Sequence, residues 1–331
     1  MNTFKKVKVY RSIFKNYFVV LLSIICNKNS VEVITRDNYK ATLPISSVYN
    51  IVSLYSSLNN KPNSSDIVKF ISKYNDVKFS VLSYLAEQKD TLIFDKVTEE
   101  NLKNDIVRFV YKQIPVTLHG IKANGDIKGI FLEEEYKFLD PIGRSVLDIG
   151  ANIGDSAVFF AISGAKRVVA LEPFPYPYKF AVKNIRSNSL EDRVEVLNAG
   201  YGTSGYVKVG EDAKTGVTDY LSDSNQGIMI KSFSLENLVS QFEFSDSILK
   251  MDCEGCEYNL LREDKSVIRK FLRIQIEFHY GYKRLENKLF DSGFKVWHSE
   301  PEKSGGNIAE LKKLAMQDND MTYGYIYAER N

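Results

Sequence analysis

Cysteine is scarce in this sequence, with 3 residues among 331. That number is too small for a disulfide framework and fits a reducing compartment, so we expect a cytoplasmic protein. Cys253 and Cys256 are spaced as C-x-x-C, a pattern shared by zinc and redox sites. A zinc site needs four ligands, however, and no second pair of cysteines or histidines lies at a suitable spacing. We therefore predict no metal site here, and two small buried side chains beside a turn.

Long apolar runs and an excess of one charge are also lacking. The formal net charge is +2, which gives no electrostatic reason to expect bulk binding of nucleic acid or of an anionic membrane. The longest apolar run, Tyr17–Cys26, is interrupted by Ser23 and is far shorter than the roughly 20 residues of a membrane-spanning helix. Basic residues precede it, as in a signal peptide, but no small-residue cleavage site follows. We expect a helix buried in an N-terminal subdomain, with peripheral membrane contact as the alternative.

The first 115 residues have mixed patterns and carry no motif of catalytic chemistry. β-Branched residues favour strands near 31–35 and 39–43. Helices are predicted from Asp66 onward and over Thr98–Lys112. We interpret this part of the chain as an N-terminal extension of mixed α+β character.

A β-hairpin and a linker are predicted over residues 116–144. The strand-like runs Val116–Lys122 and Ile127–Phe131 flank Asn124-Gly125, the favoured pair for a tight hairpin turn. The main domain is then expected to occupy residues 145–331.

From residue 145 onward, strand-like and helix-like patterns alternate. Such alternation indicates an α/β fold with a parallel sheet covered by helices on both faces. Ligands of such sheets bind at the carboxyl ends of the strands. The predicted strands are 145–149, 168–171, 194–198, 248–251, 272–278, 294–298 and 322–328, and the predicted helices are 155–163, 175–187, 234–242, 257–269 and 283–292.

A glycine turn follows the first of these strands. The strand ends in Asp148, and Gly150 and Gly154 allow a sharp bend and the close approach of a ligand. The spacing is D-x-G-x-x-x-G, and Asn152 stands where a dinucleotide fingerprint needs its central glycine. S-adenosylmethionine has no diphosphate to be cradled, so this turn favours S-adenosylmethionine over a dinucleotide.

Two polar residues at the next strand ends support the same cofactor. Glu172 lies 24 residues after Asp148, and a carboxylate at that place can accept both hydroxyls of a ribose. Asn198 ends the third strand, where it can meet the edge of the adenine. Together with the glycine turn, these residues predict a complete cofactor site that includes Asn152.

Three blocks of sequence resemble the FkbM family of methyltransferases. They are DIGANIGDS at 148–156, ALEP at 170–173, and LKMDCEGCE at 249–257, with Leu260 completing a D-x-E-G-x-E-x-x-L element. The resemblance covers about residues 116–328. The residues before it are similar only to the variable leader regions of archaeal-looking members.

The resemblance implies a class I methyltransferase fold, a Rossmann-like sheet of seven strands with the last one antiparallel. It also implies S-adenosylmethionine as donor and a hydroxyl acceptor on a sugar or natural product. By resemblance, Asp148, Gly150 and Gly154 would flank the methionine part of the cofactor. Glu172 would bind the ribose, and Asp252 would form the far wall of the cleft.

A hydroxyl acceptor benefits from a general base within hydrogen-bond reach. The candidates at strand ends are Asp252, Glu254, Glu257, Glu277 and His279. Of these, we predict Asp252, Glu254 and His279 as the catalytic residues. Two carboxylates at 252 and 254 are close enough to raise one pKa, and histidine titrates in a useful range. Which of them acts as the base stays open.

Alternative functions find less support in the sequence. Base N-methylation usually carries an N/D-P-P-Y/F motif after the fourth strand, and cytosine C5 methylation a Pro-Cys nucleophile. Residues 252–256 read DCEGC and match neither. A non-catalytic binding module would not need the full set of Asp148, Glu172 and Asp252. We expect a small-molecule or glycan acceptor, and a protein or nucleic-acid substrate as the alternative.

Overall fold

The structure is a computed structural model that describes residues 3–122, 125–209, 227–303 and 322–330. The chain divides into two compact units, one of residues 1–107 with 126–128 and one of residues 108–125 with 129–331. No helix within the described ranges is long and apolar enough to cross a membrane.

The first unit combines helices with a two-stranded ribbon. The strands pair antiparallel with Val31 opposite Leu43, which confirms the two strands predicted in this region. The helices are α1 (Thr3–Ile13), α2 (Tyr17–Ile25), α3 (Ile45–Ser57), α4 (Ser64–Lys73), α5 (Phe79–Lys89) and α6 (Lys96–Lys103), and the strands are β1 (Ser30–Ile34) and β2 (Lys40–Pro44).

The apolar run at residues 17–26 does form a helix, but the helix is buried on one side only. Val20 and Ser23 are buried, whereas Phe18 is 64% exposed and Ile25 is 73% exposed. The prediction of a buried helix is therefore wrong for the opposite face of α2.

The predicted helix over Thr98–Lys112 ends early. Helix α6 stops at Lys103, and Asp105 adopts a left-handed φ of 61° that interrupts the helix. The next residues form strand β3 (Ile106–Tyr111), in which β-branched and aromatic residues dominate.

The hairpin predicted over residues 116–144 lies earlier in the chain. Strand β3 pairs with β4 (Ile114–His119) through a two-residue turn in which Lys112 and Gln113 both have positive φ. The second predicted strand is instead helix α7 (Ile127–Phe131), so that prediction is wrong. Asn124 lies outside the described residues.

The second unit contains the predicted seven-stranded sheet. Its order is β13-β15-β12-β11-β5-β6-β7, with β15 antiparallel to both neighbours and the other pairs parallel. This is the class I methyltransferase order, and the predicted fold class is confirmed. The strands are β5 (Ser145–Ile149), β6 (Arg167–Leu171), β7 (Val194–Leu197), β11 (Ser247–Met251), β12 (Phe271–Phe278), β13 (Lys295–His298) and β15 (Thr322–Glu329).

Helices and short strands complete this unit. The helix predicted over 257–269 is two short pieces, a 3-10 helix at Cys256–Arg262 and then α11 (Lys265–Ile268). A second sheet has the order β8-β10-β9, and β14 pairs with β15. The remaining elements are α8 (Asp155–Ile162), α9 (Pro175–Ser187), α10 (Leu235–Phe242), α11 (Lys265–Ile268), α12 (Lys283–Asp291), β8 (Ala199–Tyr201), β9 (Gly205–Val209), β10 (Ile228–Phe233), β14 (Glu302–Lys303) and a 3-10 helix at Lys137–Leu139.

The two faces of the large sheet differ in polarity. One face packs against α10, α11 and α12 in a continuous apolar cluster that includes Leu147, Leu249 and Ile276. The opposite face carries buried polar residues, because Asp148, Lys250 and Gln275 occupy adjacent positions on three neighbouring strands. Buried polar groups must find partners inside the protein. This polar face therefore leads directly to the site at the strand ends.

Candidate active site

Gly150 lies where two strand ends meet. Its φ is 84°, and a Cβ atom built on it would lie 1.8 Å from the carbonyl oxygen of Asp252. The Asp252 N–H donates to the carbonyl of Ile149 over 3.0 Å, which ties the ends of β11 and β5 together. Glycine is therefore required here because the segment after β11 passes directly against the turn.

Gly154 has a second packing role in the same turn. Its φ is 81°, and an added Cβ would lie 3.0 Å from the Cα of Ala181 on α9. The absence of a side chain lets the start of α8 approach α9 closely. Both glycines thus fix the shape of the turn that follows β5.

A buried ion pair between Asp148 and Lys250 stabilises the glycine turn after β5. Asp148 is 0% exposed, and its Oδ1 lies 3.1 Å from the Nζ of Lys250, whose side chain is 2% exposed. Ser156 Oγ donates to Asp148 Oδ2 over 2.6 Å, and Lys250 Nζ donates to the Gly150 carbonyl over 2.8 Å. Burial alone would lower the pKa of Lys250, but the charges of Asp148 and Asp252 raise it above its usual value.

Lys250 was not predicted from the sequence as a site residue. Its signal is a single lysine within the apolar strand Ser247–Met251, at a position that the sheet buries on both sides. A lysine is almost never fully buried unless it is paired. Asp148, predicted to flank the cofactor, holds the glycine turn in place through this lysine.

Glu172 follows β6 and faces the same turn. Its Oε2 accepts the N–H of Asn152 and its Oε1 accepts the N–H of Phe174, both over 2.8 Å. Glu172 is only 4% exposed. Burial raises its pKa to about 7 although the two backbone N–H groups act in the opposite direction. The structure thus brings together Glu172 and Asn152, two of the predicted cofactor residues.

Asn198 organises the backbone after β6. Its Nδ2 donates to the carbonyls of Glu172 and Pro173, each over 3.0 Å. These bonds use both hydrogens of the amide group. Only its Oδ1 is left for the predicted contact with adenine.

A cluster of carboxylates surrounds one histidine at the ends of β11 and β12. His279 Nδ1 lies 3.1 Å from the buried Glu257, and its Nε2 lies 3.5 Å from Glu254 and 4.0 Å from Asp252. The side chains of Asp252 and Glu254 are 32% and 54% exposed. The three predicted catalytic residues are therefore brought together, and Glu257 orients the imidazole ring.

The charges of this cluster decide its protonation. Burial would lower the pKa of His279, but the hydrogen bond to Glu257 and the charges of Glu257, Asp252 and Glu254 raise it to about 10. Burial, with a contribution from Asp252, raises the pKa of Glu277 to about 8, and burial likewise raises the pKa of Glu254. At neutral pH both His279 and Glu277 therefore hold protons.

Asp252, Glu277 and His279 form the group, within the described ranges, that has the spacing of a metal site. One ligand atom from each lies within 4.8 Å of the others. The protonated imidazole already supplies a positive charge at this place. Three ligands of this type could hold a divalent cation only after His279 loses its proton.

The C-x-x-C pair differs from its prediction. Cys253 and Cys256 form a disulfide that closes the loop between Asp252 and Glu257. The expectation of two separate small side chains is therefore wrong, because the turn brings the two sulfur atoms into bonding contact. Cys26 is a free, exposed cysteine.

A family model described as the methyltransferase FkbM domain matches residues 148–296, from the end of β5 into β13. We refer to these matched residues as the FkbM domain. This match confirms the resemblance seen in the three sequence blocks, and it includes the glycine turn, Glu172 and the cluster around His279.

Curated relatives match shorter stretches of this chain. The tRNA(Phe) (4-demethylwyosine(37)-C(7)) aminocarboxypropyltransferase of Pyrococcus horikoshii is 42% identical over 53 residues, 16% of this chain and 19% of that protein. The ribosomal protein L11 methyltransferase of Carboxydothermus hydrogenoformans is 37% identical over 68 residues, 20% and 22% of the two chains. The chain thus spans about a fifth of the length of these relatives.

Two solved structures show partial similarity to this chain. The precorrin-6y C5,15-methyltransferase of Geobacter metallireducens has a TM-score of 0.34 at 14% identity, covering 60% of this chain and 87% of its own. M. jannaschii TYW2 in complex with AdoMet has a TM-score of 0.37 at 16% identity, covering 72% and 90%. Because these TM-scores are low, the fold is assigned from the strand order of the large sheet and not from these two structures.

Proposed function

We propose that this protein transfers a methyl group from S-adenosylmethionine to a hydroxyl group on a sugar, a glycan or lipid-linked sugar, or a small metabolite. The observation that carries the proposal is the contact between Gly150 and Asp252. It places the turn expected to bind the cofactor directly beside the acid cluster expected to meet the acceptor.

The residues of the glycine turn suit this cofactor. Asn152 Oδ1 is buried and has no hydrogen-bond partner among the described residues, and an unmet buried acceptor needs a donor from a ligand. The Glu172 carboxylate beside it has further lone pairs for ribose hydroxyls. Asp148 and Lys250 would hold the turn in shape without touching the cofactor.

When bound, S-adenosylmethionine supplies an electrophilic methyl group and its leaving group. The protein must then align the acceptor oxygen and remove its proton. We assign proton removal to Asp252, because its carboxylate is partly exposed whereas His279 and Glu277 hold their protons at neutral pH. His279, oriented by Glu257, positions Asp252, and Glu254 lies on the solvent side of the ring.

Asp252→Asn tests this assignment with isotope-labelled S-adenosylmethionine. We expect the variant to transfer methyl groups about 10²–10⁴-fold more slowly than the wild type, the range for losing a general base. Its affinity for S-adenosylmethionine, measured by calorimetry, should stay within about threefold. The matched control is Asp192→Asn, a 77% exposed aspartate close before β7 at the opposite edge of the sheet.

Unchanged turnover in Asp252→Asn would remove Asp252 as the base. Failure of the wild type to bind S-adenosylmethionine at all would overturn the proposed function itself. The acceptor class follows from where the label appears when the glycan, lipid, protein and RNA fractions of the source cell are offered. Label confined to RNA would contradict the sugar or metabolite acceptor and favour the nucleic-acid alternative.

A further inference from the structure

The exposed face of α2 is apolar over its whole length. Phe18, Val19, Leu22 and Ile25 are 64%, 51%, 45% and 73% exposed. Their spacing places them on one side of the helix, opposite the buried Val20 and Ser23. We call these four residues the apolar face of α2. Contiguous apolar surface of this kind marks an interaction site, whereas single exposed apolar residues are ordinary.

Charge in this segment is of one sign. Residues 1–31 contain six lysines and arginines and no aspartate or glutamate, while the whole chain has a net charge of only +2. Lys15 and Lys28, both exposed, lie just outside the two ends of α2, and Lys8 and Arg11 on α1 are exposed as well. The rest of the chain is therefore net negative, and positive charge surrounds the apolar face.

We propose that the apolar face of α2 docks onto the surface of a membrane rich in anionic lipids. A nine-residue helix is about 13 Å long and cannot span a bilayer, but it can lie in the interface with one side among the acyl chains. Basic residues beside such a helix bind anionic headgroups and strengthen the attachment. A partner protein without negative charge would gain no electrostatic attraction from the basic residues that flank the face. The proposal is independent of the methyl-transfer reaction.

Vesicle flotation with the full chain tests the proposal. We expect the protein to float with large vesicles of phosphatidylcholine and phosphatidylglycerol, to float less in high salt, and to remain unbound with phosphatidylcholine alone. The double variant Phe18→Gln/Ile25→Gln should bind the anionic vesicles at least about tenfold more weakly, since each side chain loses part of its burial energy.

The control uses the same residue types at equal exposure elsewhere. Phe290 and Ile142 are 69% and 70% exposed, and Phe290→Gln/Ile142→Gln should bind vesicles like the wild type. Equal binding by the α2 variant and the wild type would overturn the proposal. So would a concentration-dependent dimer, seen by sedimentation, that the α2 variant abolishes while the wild type ignores vesicles, because a second copy would then cover the face. Circular dichroism of both variants checks that they are folded.

Discussion

At the scale of single residues, the site depends on groups whose pKa values are far from ordinary. Glu172, Glu277 and His279 are all shifted toward the protonated form, two by burial and one by surrounding carboxylates. Perturbed groups of this kind cluster at functional sites. The sequence could place these residues at strand ends, but it could not show that Glu257 would be fully buried against His279, because that contact depends on the loop geometry.

His279 should make the stability of the protein depend on pH. Its pKa in the folded protein, about 10, lies above its ordinary value of 6.5. Its contribution is therefore fully present below pH 6.5 and is lost as the pH rises through about 10. Denaturant unfolding should show the wild type losing on the order of 2–4 kcal/mol relative to His279→Gln over this interval.

His298→Gln is the matched control for the loss of a histidine side chain, since His298 stacks on Tyr282 and lies outside the carboxylate cluster. A difference between the wild type and His279→Gln that does not change with pH would contradict the proposed charge balance of the cluster.

At the scale of strands and helices, β5 and β11 carry the buried ion pair, and Lys250 on β11 also donates to the glycine turn after β5. Lys250→Met should destabilise the protein by about 3–5 kcal/mol, because Asp148 would remain buried without its partner. Asp148→Asn/Lys250→Met should recover at least half of this loss, because no unpaired charge is left. Equilibrium unfolding in urea measures both. A double variant as unstable as Lys250→Met would show that the polar contacts to Ser156 and Gly150 outweigh the charge.

Local sequence patterns predict some of these strands and helices and miss others. The central strands β5, β6 and β11 were predicted because each is a largely apolar run between clear turns, and buried parallel strands have that pattern. The turn at Lys112-Gln113 was missed because neither residue favours positive φ. The segment Ile127–Phe131 contains two isoleucines and a phenylalanine, yet it forms a short helix, since a run of five residues does not distinguish the two structures.

At the scale of the whole molecule, the single tryptophan reports on one unit only. Trp297 lies on β13 and packs against Phe138 and Tyr327 within the second unit. A ligand at one hundred times its dissociation constant stabilises its binder by about 2.7 kcal/mol. Saturating S-adenosylmethionine should therefore raise the melting temperature seen by tryptophan fluorescence by about 5 °C or more.

Glu172→Ala should largely abolish this shift, whereas Glu195→Ala, a change at a 52% exposed glutamate on β7, should preserve it. NAD should produce no shift. A shift with NAD and none with S-adenosylmethionine would refute the assignment of the cofactor.

The position of β15 affects how the protein is made. Strand β15 lies between β12 and β13, and β13 pairs with no other strand of the large sheet within the described residues. On the ribosome, β13 emerges before the strand that connects it to the sheet. Until β15 pairs with them, β12 keeps an unpaired edge and β13 has no partner strand in the large sheet. Such edges promote aggregation, so this late insertion is the step at which a chaperone would have the most to protect.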